Sequence, residues 1–187
     1  MKKLILFFIA VAAISTTIAQ TQVGSVTLPN KISVGGQNLV LNGAGIRTKA
    51  MILKLYSGGL YISKRTKSAS AIINADKDMA VRLVITSGFV SSEAMIEAVN
   101  EGFKASMNGN TSSLDSEIKK FIGFFSDEIK EGDMFDITYE KGIGVIGFKN
   151  GTKLGVIAGL DFKKALFAIW LGDSPVDDKL KSGMLGK

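Results

Sequence analysis

The side chains that could do chemistry in this sequence are carboxylates, lysines, arginines and tyrosines, because its 187 residues include no histidine and no cysteine. Nucleophilic sites that pair serine or cysteine with histidine are therefore excluded, and so is a zinc site built from nitrogen and sulfur ligands. The sequence also has no Asp-x-Asp-x-Asp-Gly loop of the kind that binds calcium. We predict no metal site and no cofactor, and any acid-base chemistry must use a carboxylate, a lysine, a tyrosine or ordered water.

One glycine motif has the spacing of a dinucleotide-binding loop. Gly142, Gly144 and Gly147 match G-x-G-x-x-G, but that loop needs a helix directly after it, whose N-terminus meets the pyrophosphate. Here Asn150-Gly151 follows, and this pair between two apolar runs is the strongest short signal for a hairpin. We interpret the three glycines as strand and turn residues.

The charge of the chain does not indicate a nucleic-acid partner. The formal net charge is +6, but the lysines are dispersed along the sequence and no aromatic residues interleave with them in a basic stripe. A nucleic-acid interface usually concentrates its positive charge on one face or helix. We interpret the lysines as a solvated surface.

The N-terminus has the organisation of a secretory signal peptide. Lys2 and Lys3 precede an unbroken apolar run, residues 4–14, which is too short to span a bilayer. Small residues then end at Ala19, where a signal peptidase could cut before Gln20. We predict a signal peptide over residues 1–19 and a single domain over residues 20–187, with no transmembrane segment in the mature chain. The predicted location is periplasmic or secreted, in a bacterium.

The elements that must position any site are predicted from apolar periodicity and turn residues. Ser91 or Ser92 is expected to cap a helix, and Ser112-x-x-Asp115 resembles a capping box. The predicted segments are strands over 23–29, 31–41 with a turn at 35–36, 46–62 and 79–86, helices over 68–75, 91–107 and 112–125, and strands over 134–140, 143–149 and 153–158.

Two short helices are predicted to close the chain. Asp161 is the expected cap of the first, and Gly172 is expected to end it in a left-handed conformation before Pro175. Asp177 is the expected cap of the second, over residues 177–184. Strands, helices, a meander and closing helices together predict an α+β fold, in which an antiparallel sheet carries helices mainly on one face as an open-faced β-sandwich.

Three stretches resemble the bacterial branch of the chalcone isomerase-like family. They are GAGIR at residues 43–47, KLYSGGLYI at residues 54–62, and the C-terminal stretch at residues 162–186 with its Trp-Leu-Gly. The resemblance covers residues 23–186. It implies a ligand cleft between the sheet and a helical layer. Plant members cyclise chalcones to flavanones, and non-catalytic relatives bind fatty acids through an arginine at the start of the long strand.

The resemblance implies three ligand-binding residues, Arg47, Tyr56 and Asn100. Arg47 matches the family arginine within GAGIR, Tyr56 falls at a family threonine, and Asn100 falls at a helix asparagine. An odd-numbered shift between Arg47 and Tyr56, relative to the plant enzymes, leaves open whether the two face one cleft. The plant catalytic tyrosine falls at Glu93, and a second family threonine falls at Ile169, so two polar groups of the plant enzyme are absent.

Each of these residues also has a structural interpretation. Arg47 could pair with an acidic residue or lie exposed instead of holding a carboxylate in its planar fork. Asn100 lies at helical spacing from Ile96 and Phe103, so its amide could bond to nearby backbone instead of a ligand. Trp170 is expected in the core.

Three functions remain open from the sequence. The leading one is a binder of a small amphipathic or hydrophobic ligand, such as a fatty acid, which needs only an apolar cleft and one fixed cation. The second is an isomerase or intramolecular lyase, in which Arg47 stabilises an oxyanion and Tyr56 or Glu93 moves a proton. The third is a structural or partner-binding envelope protein. The sequence does not indicate an oligomeric state.

The N-terminal pattern makes a testable prediction. Sequencing of the protein recovered after export should start at Gln20 or within a residue or two, because the small residues before that position suit signal peptidase. Recovery of a chain that retains Met1 and sediments with membranes would contradict both cleavage and release.

Overall fold

A computed structural model of the chain describes residues 20–50 and 52–187. The predicted signal peptide, residues 1–19, lies outside the described residues. The strands are β1 (Gln20–Val23), β2 (Val26–Pro29), β3 (Lys31–Val34), β4 (Gln37–Lys49), β5 (Leu53–Ile62), β6 (Met79–Ile85), β7 (Met134–Glu140), β8 (Gly144–Lys149) and β9 (Thr152–Ile157), and the helices are α1 (Ala69–Asn74), α2 (Ser92–Ser106), α3 (Asp115–Ile122), α4 (Leu160–Leu171) and α5 (Asp178–Met184).

Seven strands form one antiparallel sheet in which every strand pairs with its neighbour in sequence, in the order β3-β4-β5-β6-β7-β8-β9. Side chains alternate between the two faces. One face carries the larger core, where Leu60 and Val81 pack with Phe103 of α2 and Leu166 of α4. The predicted α+β fold, with helices mainly on one face of an antiparallel sheet, is confirmed.

The opposite face of the sheet is partly covered by the β1–β2 hairpin. The hydroxyl of Ser57 donates to the carbonyl of Val23 at 2.9 Å, and that of Tyr61 donates to the carbonyl of Pro29 at 2.9 Å. Leu28 lies against Gly59, where an added Cβ would stand 2.8 Å from its side chain. The predicted strand over 23–29 is therefore two short strands, separated by a turn at Gly24, whose φ is +62°.

The predicted long strand over 46–62 is also two strands, β4 and β5, joined by a turn between Lys49 and Leu53. Ala50 takes a left-handed conformation with φ +51°, and the amide of Ile52 donates to the carbonyl of Lys49 at 3.4 Å. The turn contains no glycine, proline or asparagine, so the residues that usually mark a turn are missing. The hairpins at 35–36 and at Asn150-Gly151 form as predicted.

Helix ends follow the sequence in some places and not in others. Ser91 and Asp177 cap α2 and α5 as predicted, each accepting a backbone N–H three residues on. Asp161 does not cap α4, which begins at Leu160 with Gly159 as its N-cap, two residues earlier than predicted. Gly172 ends α4 with φ −71°, which is not left-handed. The capping box at Ser112 does not form, because the Ser112 hydroxyl donates to the Asn110 side chain and a single 3₁₀ turn precedes α3.

Helix α5 packs backbone to backbone on β4. A Cβ on Gly43 would collide with the carbonyl oxygen of Gly183, and it would lie 2.8 Å from the amide nitrogen of Gly186. A Cβ on Gly183 would in turn stand 2.5 Å from the carbonyl oxygen of Ala44. Such distances are well inside van der Waals contact, so only glycine permits this approach. GAGIR and the C-terminal glycines, far apart in sequence, are thus the two sides of one contact.

A buried lysine ties α4 to the end of α1. Lys163 is fully buried, and its ammonium donates to the carbonyls of Ile72, Ile73 and Ala75 at 2.7–2.9 Å. Burial lowers the pKa of Lys163 to about 8, so the group keeps three N–H donors at neutral pH. These donors match carbonyls at the C-terminal end of α1, where a helix leaves acceptors unpaired. The Ile72 carbonyl also accepts the backbone N–H of Ala75 at 3.3 Å.

Among the described residues, no helix is both long and apolar enough to cross a membrane.

The contact between α5 and β4 predicts a large effect of one added methyl group. Gly43→Ala should lower the free energy of unfolding by about 3 kcal/mol, because the added Cβ would overlap backbone atoms of α5 that cannot rotate away as a side chain could. Denaturant unfolding measures the change. The matched control is Gly88→Ala, where nothing lies within 4 Å of the new Cβ. Equal stability of the two variants would contradict the close packing.

Candidate functional site

A cleft opens between the β4–β5 hairpin and helix α2. Its volume is about 580 Å³, and its walls mix apolar and charged side chains. Leu53, Leu55 and Val90 supply apolar wall, while Glu97 and Glu101 line it from α2. The described chain therefore has an open, partly apolar cleft of the size that suits a small ligand.

The cleft narrows inward to a pocket of only about 20 Å³. Arg47, Tyr56 and Met95 line both spaces, so they stand at the junction of the two. Ile169 and Trp170 of α4 line the inner pocket but not the outer cleft. A volume of this size holds about one water molecule, so the interior behind the junction is filled by side chains.

Arg47 and Tyr56 are brought together by the hairpin. They are directly paired across β4 and β5, so their side chains lie on the same face of the sheet. The guanidinium carbon of Arg47 is 5.7 Å from the centre of the Tyr56 ring. The sequence leaves open whether the two residues face one cleft. The chain reverses direction after Lys49, so Arg47 and Tyr56 are cross-strand neighbours on the face that lines the cleft. Tyr61, five residues from Tyr56, lies on the other face as its odd spacing predicts.

The hydroxyl of Tyr56 is the polar group at the junction. The indole N–H of Trp170 donates to it at 3.1 Å. Burial raises the pKa of Tyr56, although nearby Arg47 and the Trp170 bond oppose this rise, so the phenol keeps its proton at neutral pH. Indole and guanidinium groups only donate, which leaves the phenol proton for a further acceptor. Arg47 and Tyr56 thus both present donors to the junction.

Within the described residues, Arg47 has no carboxylate within salt-bridge distance. Arg82 gives the contrast, because its fork binds both oxygens of Asp136 at 2.7 and 2.8 Å on the opposite face of the sheet. The alternative interpretation, in which the Arg47 guanidinium pairs with an acidic residue, is therefore not observed among the described residues. A half-buried guanidinium without a carboxylate suits an anionic ligand.

The carboxylate of Asp177 contacts Thr48, the residue after Arg47, and its oxygens already accept three hydrogen bonds. Its Oδ2 accepts from the backbone N–H of Thr48 at 2.9 Å and from the Thr48 hydroxyl at 3.2 Å, and its Oδ1 accepts from Leu180 N–H at 2.9 Å. Burial alone would raise the pKa of Asp177, but these hydrogen bonds outweigh it and lower the pKa overall. Asp177 therefore joins the start of α5 to the residue after Arg47 and fixes the end of β4.

Two residues of the sequence comparison lie outside the cleft. Asn100 does not line it or the inner pocket, and its side-chain amide donates to the carbonyl of Ile96 at 3.1 Å, one helical turn earlier. Glu93 is exposed in the first turn of α2 and lines neither space. Ile169 lies in the inner pocket, where a family threonine would carry a hydroxyl.

Sequence reasoning missed Trp170 and Asp177 as site residues. Trp170 is in the core as expected, only 5% exposed, yet it also orients the Tyr56 hydroxyl. Asp177 was identified as a helix cap, but its bond to Thr48 spans 129 positions of the chain, and no local pattern indicates it. Among the described residues, no group of acidic side chains could hold a metal ion.

Comparison with known proteins relates the chain to one family. A family model described as chalcone isomerase-like matches residues 20–186. Among solved structures, a fatty-acid binding protein of Arabidopsis thaliana superposes with a TM-score of 0.68 at 20% sequence identity, covering 86% of this chain and 91% of that protein. At this identity the likeness concerns the fold. No curated protein sequence matches the chain significantly.

Proposed function

The chain belongs to the chalcone isomerase-like family, and we propose that it binds a small amphipathic carboxylate, with a fatty acid as the leading candidate. The observation that carries this proposal is the convergence of Arg47 and Tyr56 as donors at the floor of an open, partly apolar cleft. A carboxylate only accepts hydrogen bonds, and it matches the planar fork of arginine with both oxygens. The solved relative that binds fatty acids is consistent with this choice.

The volumes indicate where the ligand body would lie. The inner pocket of about 20 Å³ has no room for an alkyl chain, since even benzene needs a cavity of about 150 Å³. The outer cleft of about 580 Å³ has that room. The head group would therefore sit at Arg47 and Tyr56, and the apolar body would extend outward along Leu53, Leu55 and Val90.

An exported site of action is part of the proposal. The apolar run after Lys2 and Lys3 supports cleavage before Gln20 and a periplasmic or secreted location. Fatty acids and related amphipaths exchange with membrane surfaces in such a compartment. The hypothesis of a purely structural protein expects a cleft filled by side chains. The open volume of about 580 Å³ outside the junction does not support it.

Catalysis of the plant reaction has little support at this site. Ile169 supplies no hydroxyl to the inner pocket, and Glu93 is exposed on α2 and lines neither the cleft nor the inner pocket. Among the described residues that line both spaces, Tyr56 is the one that could exchange a proton, and Glu97 and Glu101 line only the outer cleft. Burial raises the pKa of Tyr56, which disfavours its action as a base at neutral pH.

The first prediction from this site concerns chalcone substrates. The purified protein should cyclise a chalcone no faster than buffer does, because the positions of two plant polar groups hold Glu93 and Ile169. Absorbance of the substrate and chiral separation of the flavanone measure the rate and its stereochemistry. Saturable formation of one enantiomer would instead favour the isomerase hypothesis.

The second prediction concerns Arg47. Arg47→Ala should weaken fatty-acid binding by well over tenfold, since a carboxylate left without its charged partner in a partly dry cleft costs about 2–5 kcal/mol. Arg47→Lys should restore binding only in part, because an ammonium lacks the planar fork. Tyr56→Phe should weaken binding by at least about tenfold, because it removes a hydrogen bond to an ionised carboxylate, which contributes about 1.5–3 kcal/mol. Calorimetric titration of delipidated protein with medium- and long-chain fatty acids measures each constant.

Arg65→Ala is the matched control for the Arg47 series. Arg65 donates to the carbonyl of Leu41 and lines neither the cleft nor its inner pocket, so its loss should leave the binding constant unchanged. If the wild type binds no fatty acid, or if Arg47→Ala binds as well as Arg65→Ala, the carboxylate-anchor proposal is wrong.

A further inference from the structure

The two most exposed large apolar side chains of the described chain lie at the mouth of the cleft. Ile52 is 86% exposed and Phe89 is 75% exposed. Phe89 lines the cleft from the loop before α2, and Ile52 lies in the β4–β5 turn between Ala50 and Leu53, which also line it. Ile143, 52% exposed, lies in the β7–β8 turn at the other end of the sheet.

Backbone turns hold both side chains outward. The amide of Phe89 donates to the Ser87 hydroxyl at 3.3 Å, and the amide of Val90 donates to the Ser87 carbonyl at 3.2 Å. Val90 is buried beneath, so the turn directs one apolar residue inward and its neighbour outward. Ile52 is held in the same way by its bond to Lys49. Leaving such side chains in water has a free-energy cost that burial elsewhere would remove.

The charges around the hairpin tip favour one kind of partner. Lys49 and Lys54 flank the tip in sequence, and both are exposed. Lys49 lines the cleft, whereas Lys54 lies at the same end of the hairpin on the opposite face of the sheet. An apolar tip between two lysines suits a phospholipid surface, where the apolar side chains enter the acyl boundary and the ammonium groups reach phosphate. Among the residues that line the cleft, the basic ones, Arg47 and Lys49, lie on the hairpin, and the acidic ones, Glu97 and Glu101, lie on α2.

We propose that this mouth docks on the surface of a phospholipid bilayer, with Ile52 and Phe89 inserted between lipids. The docking would place the open cleft directly against the membrane, so that an amphipathic ligand passes between bilayer and Arg47 without crossing water. The nature of that cargo rests on the function proposed above, whereas the docking itself rests on the two exposed side chains and their flanking lysines.

Site-directed spin labelling tests the docking, because the chain contains no cysteine and each variant carries one label. Ile52→Cys and Phe89→Cys receive a nitroxide, and Ile143→Cys is the matched control. Each is mixed with vesicles of phosphatidylcholine and phosphatidylglycerol in equal parts. A nitroxide inside a bilayer collides more with oxygen and less with a water-soluble nickel chelate. We expect this change at positions 52 and 89 and none at 143.

A second measurement removes the apolar contacts themselves. Vesicle partitioning of Ile52→Ser/Phe89→Ser should fall at least about tenfold below that of Ile143→Ser, in line with the apolar surface withdrawn from the lipid. Fatty-acid binding in solution should be unchanged in the single variant Ile52→Ser, because Ile52 does not line the cleft. Lys49→Gln/Lys54→Gln should weaken partitioning only on vesicles that contain phosphatidylglycerol.

The outcomes separate docking from ligand binding. No change at positions 52 and 89, or an equal change at 143, overturns the docking and would direct attention to a protein partner at the same mouth. If labels 52 and 89 enter the bilayer while the protein binds no fatty acid, the docking stands and the proposed ligand is wrong.

Discussion

Contact between the backbones of α5 and β4 is the constraint on which the cleft depends. Gly43 and Gly183 meet with no side chain between them, so the C-terminal helix lies closer to the sheet than any other residue pair would allow. This approach brings Asp177, the cap of α5, within hydrogen-bond distance of Thr48. The end of β4, with Arg47 on it, is therefore fixed by the last helix of the chain. The site arginine and the C-terminal glycines belong to one structural unit.

The cleft is divided into a filled inner part and an open outer part. Inward from Arg47 and Tyr56, side chains of α2 and α4 fill the space almost completely. Outward from them, the hairpin and the loop before α2 leave the cleft open and expose Phe89. The polar donors stand where the two regions meet. An amphipathic molecule has the same division between head and body, and this correspondence underlies the proposed function.

The sequence predicts the fold better than it predicts the site. Alternation, helical spacing and the Gly35-Gly36 and Asn150-Gly151 turns are local signals, and they lead to the correct class of sheet and helices. The turn after Lys49 is missed because Ala50 takes a positive φ without any residue that favours it. That one turn decides the site, since it converts Arg47 and Tyr56 from residues of one strand into paired neighbours on two. Helical spacing alone does not decide whether the Asn100 amide bonds to a ligand or to the backbone. In the structure it donates to the carbonyl of Ile96.

The link between Trp170 and Tyr56 gives the site an optical consequence. Trp170 is the single tryptophan of the chain, and its indole N–H donates directly to the hydroxyl that faces the junction. When a bound anion accepts a hydrogen bond from the Tyr56 hydroxyl, the phenol oxygen becomes a stronger acceptor for the indole N–H, because neighbouring hydrogen bonds polarise one another. All indole emission from the purified protein therefore originates one hydrogen bond away from the site. The unmodified chain carries an intrinsic reporter of its own occupancy, with no background from tryptophan elsewhere.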